Sequence, residues 1–310
     1  MNTLVKPGAA SLPRRRLADA RAVQIARRAW GTSNGKVGYV ILSVLLLLSV
    51  LAPWIVPFDP VHQDLGQANV APFWLGDGGH FIFGTDNLGR DVFSRVLYGL
   101  RLSLAIGIVT ATASAMLGLL LGLLAGYYDR SLGYVLMRIA DVQFAIPFVV
   151  VAIALTAVMG PGLFKLMVVL AVWGWTVYAR TIANTVTQVS KQDFVTAART
   201  MGASTPRILW HHITPMVFGP VLVLWSTSAG VLVLVESALS LLGLGVQAPG
   251  FSLGSMLSEG RVLLRLSWWS VVFPGVTLML IVLAFNMLGD ALRDALTPGA
   301  STRPVNPELT

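Results

Sequence analysis

Cysteine is absent from all 310 residues, which excludes a disulfide framework and any thiolate metal site. Charge is scarce: Asp, Glu, Lys and Arg make up 12% of the chain, against about 25% in a typical soluble protein. A phosphate-binding loop is missing too. Gly35-Lys36 is followed by Val37, and no glycine stands at the required upstream spacing, so the chain lacks that route to nucleotide hydrolysis. The histidines are His62, His80 and the adjacent pair His211-His212. None stands in an HExxH arrangement, and neighbours on a helix diverge by about 100°, a poor chelate. No pair of candidate acid, base or nucleophile residues recurs at a recognisable catalytic spacing.

What fills the chain instead is apolar. Hydrophobic residues are 55% of the sequence and the mean hydropathy is +0.74, which points to an all-α membrane protein rather than a soluble domain. The formal charge of +8 sits mostly at one end: residues 1–36 hold eight Lys/Arg (Lys6, Arg14, Arg15, Arg16, Arg21, Arg27, Arg28, Lys36) against Asp19. A basic tail ahead of the first apolar run places the N-terminus in the cytosol and argues against a nucleic-acid partner. Val37 to Val56 is uncharged throughout, too long for the core of a signal peptide and long enough to cross the bilayer.

Six spans are predicted: Val37–Val56, Leu102–Tyr128, Val142–Met159, Leu163–Ala179, Val217–Leu239 and Trp268–Leu288. Both termini are then cytosolic, and cytosolic segments carry 16 Lys/Arg against 6 outside, in keeping with the positive-inside rule. The organisation is a basic cytosolic tail (1–36), a transmembrane domain (37–298) and a C-terminal tail (299–310). The external loop 57–101 is rich in turn residues with five Asp, and is expected to face water. Toward its end Asp91 can cap a helix with Phe93, Val96, Leu97 and Leu100 on one side, an interfacial helix feeding the second span. Gly118, Gly122 and Gly126 recur every fourth residue and predict a smooth stripe for close helix packing. Pro147, Pro220 and Pro274 fall within spans and permit kinks.

Charge inside the spans is rare. Arg138 and Asp141 lie near the cytosolic end of the third span. Glu236 lies in the otherwise uncharged Val231–Val246, where an acid exposed to lipid costs about 2.5–3.5 kcal/mol at mid-depth. It is either a carboxylate of the pathway or gate, or an acid near the outer interface hydrogen-bonded to neighbouring helices.

The long cytosolic connection 180–215 reads as two short helices at an angle. Asp193 to Met201 forms the first, with Asp193 suited to its N-terminal dipole and Gly202 a left-handed stop. Ser204 or Thr205 can cap the second, Pro206 fits its first turn, and Ile208, Leu209 and Ile213 form an apolar side running into Pro215. Small residues (Ala197, Ala198, Gly202, Ala203) let a partner surface approach this knob closely. Arg199 and Arg207 flank it.

The run Ala197-Ala198-Arg199-Thr200-Met201-Gly202-Ala203-Ser204, with Ile213-Thr214-Pro215 following, resembles the EAA loop of ABC importer permeases. It departs at Thr196, where that family often has Glu, and at Thr214, where it often has Leu. Three further stretches resemble the C-type permease of dipeptide, oligopeptide and nickel importers. They are Gly84-Thr85-Asp86-Asn87-Leu88-Gly89-Arg90-Asp91; Glu236 through Gly245 with Pro249, Ser252, Gly254 and Met256-Leu257; and Leu283 through Asp290 with Arg293-Asp294.

The resemblance implies a six-helix permease in a bacterial cytoplasmic membrane, paired with a second homologous permease. It further implies two cytosolic ATPase subunits that use ATP and magnesium, no cofactor on this chain, and an extracytoplasmic binding protein. The Asp193–Arg207 knob would then sit in a cleft of the ATPase, and nucleotide-driven closure would switch the bundle between inward and outward access. Peptide is the expected cargo on subfamily resemblance, with nickel or another small solute the alternative. An ion-coupled carrier would need acids near the midplane, for which only Glu236 is a candidate.

Overall fold

The computed structural model describes residues 30–76, 79–128, 130, 132–160 and 162–296. The basic tail before residue 30 and the C-terminal tail from 297 therefore lie outside the described residues. Among those described there is no strand, and the elements in order are helices α1 (Ser33–Ile55), α2 (Val92–Tyr127), α3 (Leu132–Ala145), α4 (Phe148–Met159), α5 (Leu163–Val189), α6 (Asp193–Thr200), α7 (Thr205–Leu241), α8 (Leu253–Gly260) and α9 (Trp269–Leu296). α1, α2, α5, α7 and α9 are each long and apolar enough to cross a membrane.

The stretch predicted as one third span, Val142–Met159, is instead a broken pair. α3 and α4 meet at 89°, and the break falls where Pro147 becomes the N-cap of α4. Proline lacks the N–H that would continue the helix and pushes the preceding residue, Ile146, out of the helical region. The packing of α2 on α5 shows why the pair must still cross. Gly118 lies against Tyr178, Gly122 against Ala179 and Ile182, and Gly126 against Ala183 and Val186, so the two helices run in the same direction. The chain leaves α2 on the cytosolic side and must return to the outer side before α5 begins.

Other boundaries moved as well. The capped segment from Asp91 does not stop at an interface: Asp91 Oδ2 accepts from Ser94 N at 2.8 Å, and the helix then continues unbroken for 36 residues to Tyr127. At 1.5 Å per residue that is about 54 Å, several turns longer than the hydrocarbon core. The fourth span runs ten residues past Ala179 to Val189. The short second cytosolic helix is the first turn of α7, joined to the membrane part through a wide π-helical turn at Leu209–Ile213. Pro215 follows immediately; its missing donor and bulky ring disfavour a regular α-turn there.

Close approach at glycine organises the rest. A Cβ at Gly122 would stand 2.8 Å from Ala179 O and from Ile182 Cβ, and one at Gly126 would stand 2.5 Å from Ala183 O. Gly38 of α1 meets Met287 of α9, and Gly230 of α7 meets Phe285. Without a hydrophobic drive between helices in lipid, this backbone contact and its dispersion supply the association. Gln143 braces the break: its Nε2 donates to Trp173 O at 2.7 Å, and Trp175 Nε1 donates to its Oε1 at 3.1 Å.

Candidate functional site

The cytosolic knob is a short helix with a built stop. Asp193 is the first residue of α6. At the other end Gly202 takes φ +80°; Gly202 N donates to Arg199 O and Ala203 N to Ala198 O, each at 3.0 Å. This is a Schellman turn, and the left-handed residue at its corner is what favours glycine. Ser204 takes the N-cap position of α7, but its side chain makes no cap hydrogen bond. Pro206 sits in the first turn.

One side of the knob is fixed to the bundle. Val195, Ile208 and Ile213 are buried in a cluster with Tyr178, Ile182, Val186 and Val189 of α5 and Val217 of α7. Arg199 Nη2 donates to the Tyr127 hydroxyl at 3.4 Å, with its guanidinium 5.7 Å from that ring centre, tying α6 to the inner end of α2. The knob is thus packed on α2, α5 and α7 together. The opposite side is open: Thr196, Ala197, Gly202, Pro206 and Arg207 are exposed, Ala203 is half-buried, and Ala198 faces inward. Large apolar groups of the same segment, which no sequence pattern singles out, are exposed as well. Met201 is 81% exposed at the corner beside Gly202, and Phe194 and Trp210 are also exposed. A hydrophobic residue next to a helix-stop glycine gives no sequence signal of which way it points.

Glu236 lies near the outer end of α7 and is fully buried. Its Oε1 accepts from Ser240 Oγ at 2.8 Å and from Ser252 Oγ at 2.7 Å. Ser252 is the N-cap of α8 and also accepts from Ser255 N at 3.2 Å; Leu253 N donates to Ser103 Oγ at 3.1 Å. Gly254 brings α8 against Ser237, where a Cβ would stand 2.5 Å from its Cα. The carboxyl thus ties α7 to the start of α8 beside the positive end of that helix.

The segment Gly84 to Asp91 folds as a clasp over the outer ends of the helices. Gly84 and Gly89 have φ +75° and +72°. Thr85 Oγ1 accepts from Val70 N, and Trp269 Nε1 donates to Thr85 O at 2.9 Å. Asp86 binds Arg90 at 2.7 Å and the buried Arg95 at 2.5 Å, and both arginines reach Glu259 of α8. Arg95 and Glu259 were missed because their partners are fixed only by the way α8 folds back. On the cytosolic side Asp141 pairs with Arg180 at 2.6 Å and more loosely with Arg138 at 3.7 Å. The described residues hold no group of three or more metal-ligating side chains.

A bundle of spanning helices with an exposed cytosolic knob packed on several of them defines a multi-pass membrane protein. Residues 118–302 match the model of the binding-protein-dependent transport system inner membrane component, and residues 35–72 match the N-terminal transmembrane domain of oligopeptide transport permease C. The chain belongs to this family of importer permeases of the bacterial inner membrane. Similar proteins include the di/tripeptide transport system permease protein of Pseudomonas aeruginosa, 39% identical over 86% of this chain and 88% of the relative. The dipeptide transport system permease protein of Alkalihalophilus pseudofirmus is 37% identical over 84% of each chain. The glutathione transport system permease protein of Pectobacterium atrosepticum is 39% identical over 83% of this chain and 85% of the relative.

Proposed function

We propose that this chain is one half of a heterodimeric permease that imports short peptides, driven by two cytosolic ATPase subunits, one of which docks on the α6 knob, and supplied by an extracytoplasmic binding protein. The observation that carries the reading is the knob itself: a rigid helix stop with one side locked to α2, α5 and α7 and the other open around Gly202. Such an element passes a push from a partner into the bundle without dissipating it in local bending. Met201, Phe194 and Ala197 supply a compact apolar contact with small neighbours, and Asp193, Arg199 and Arg207 supply charge at its edge. Thr196 offers no carboxylate, so docking rests on shape and apolar contact. ATP and magnesium belong to the ATPase partners, and this chain contributes no nucleotide site of its own.

Peptide cargo is supported by the relatives, whose names cover di- and tripeptides, dipeptides and glutathione. The test is uptake of a radiolabelled dipeptide into proteoliposomes holding both permeases, the ATPases and the cognate binding protein. ATP-dependent accumulation that stops when this chain is omitted is expected. Accumulation of nickel but not of peptide would replace the cargo, and ATP-independent, ion-driven uptake would overturn the importer reading.

A further inference from the structure

The external loop was expected to face water, yet part of it carries an apolar surface. Phe73, Trp74 and Leu75 are consecutive and each about half exposed, at 54%, 49% and 50%. Their backbone forms a short 3-10 turn: Leu75 N donates to Pro72 O at 2.9 Å and Phe73 N to Phe81 O at 3.0 Å, while the Trp74 side chain donates from Nε1 to Ile82 O at 3.0 Å. The tip rests on the outer end of α9. Trp74 meets the rings of Trp268 and Phe273 edge-on at 6.2 and 6.4 Å, and Phe83 stacks on Phe273 at 3.8 Å. Phe81 also reaches Phe58, just past the end of α1, at 5.1 Å.

Two exposed apolar stripes run up to this tip. On α9, Val272, Val276, Met279 and Leu283 are exposed, the spacing of one helix face, and Trp268 stands at its head. On α1, Val40, Val44, Leu47, Val50 and Trp54 form a second stripe ending at Phe58. α1 and α9 pack directly on one another through Gly38 and Met287, so the two stripes lie on adjacent helices. The aromatic groups at their outer ends include the tryptophans Trp54, Trp74 and Trp268. Aromatic residues of this kind, at the ends of spanning helices, collect at the headgroup boundary, where an apolar ring and a polar N–H are both satisfied.

We propose that the tip carrying Phe73, Trp74 and Leu75 is seated in the outer headgroup–acyl boundary of the bilayer, and so pins the extracytoplasmic clasp to the membrane surface. The occupant is lipid because the tip continues two faces of membrane-crossing helices. The more polar part of the same loop, around His62 and Asp64, stays in water. Through Thr85 and Trp269 the pinned tip then fixes the height of the clasp above α9.

The absence of cysteine makes the test direct. Single Leu75→Cys and Phe73→Cys variants, with Leu65→Cys as the water-facing control, are spin-labelled in the assembled transporter in phosphatidylethanolamine/phosphatidylglycerol vesicles. Leu65 suits the control because it is 72% exposed in the same loop. Collision with oxygen, which favours lipid, is compared with collision with a water-soluble nickel chelate. The expected result is at least a threefold higher oxygen-to-nickel ratio at positions 73 and 75 than at 65, unchanged when the binding protein is added. Equal ratios at all three positions would place the tip in water and overturn the proposal. Labels shielded from both reagents would show a protein partner covering the tip, and would overturn it equally. Peptide uptake is not the readout, so failure here is separate from failure of the importer reading.

Discussion

Gly202 separates the backbone requirement of the knob from its use as a contact surface. At φ +80° any other residue bears left-handed strain, about 1–2 kcal/mol for an ordinary side chain and less for Asn. A Cβ there meets nothing within 4 Å, so a side chain at this position starts in open space. Gly202→Asn and Gly202→Trp therefore both leave α6 held by buried Val195 and Ala198. Trp additionally projects a large ring, of about 150–250 Å², from the open face. If that face receives the ATPase, Asn should stay within about fivefold of wild-type peptide uptake, the effect of about 1 kcal/mol. Trp should lose more than tenfold at equal membrane abundance, and co-purify less ATPase. The assay is ATP-dependent uptake in proteoliposomes, with thermal melting of the purified complex to check folding. Uptake by the Trp variant equal to that of the Asn variant would refute docking at this corner. Equal loss in both, with normal melting, would show that the turn matters and the open space beside it does not.

Other perturbations test the packing. Gly122→Ala inserts a methyl 2.8 Å from Ala179 O and Ile182 Cβ, an overpacking expected to destabilise by about 1–3 kcal/mol. It should lower the melting temperature more than Leu120→Ala, whose side chain is exposed. Glu236→Gln and Ser252→Ala each remove part of one hydrogen-bonded tie between α7 and α8. Their effects on melting should be less than additive in the double variant, by about 0.5–3 kcal/mol, and simple additivity would deny the tie. Arg95→Ala removes one of the two arginines on the buried Asp86, which keeps Arg90, and should cost more than about 1 kcal/mol but less than the about 3–5 kcal/mol of a buried charge left wholly unpaired. Asp141→Asn touches a pair whose side chains are nearly half exposed and should cost no more than about 1 kcal/mol. Comparable losses in melting temperature for these last two would contradict the assigned burial.

The sequence alone determined which segments are apolar enough to cross a membrane. It also determined the local grammar of the knob: Asp193 at a helix start, Gly202 at a stop and Pro206 in a first turn, because these depend on residues only a few positions apart. The same holds for the four-residue spacing of Gly118, Gly122 and Gly126, which a helix must place on one face.

Only the tertiary structure decided what those faces meet. It set the glycine stripe against α5 in parallel, which made the bent α3–α4 pair a necessary return crossing. It joined Glu236 to Ser252 and Arg95 to Glu259 across chain separations that no local pattern encodes. It also turned Met201 outward and Phe73, Trp74 and Leu75 onto a half-exposed rim. Helix starts and stops are written in short-range hydrogen bonding. The direction of a side chain, and the company of a buried charge, depend on helices that meet only when the whole chain is packed.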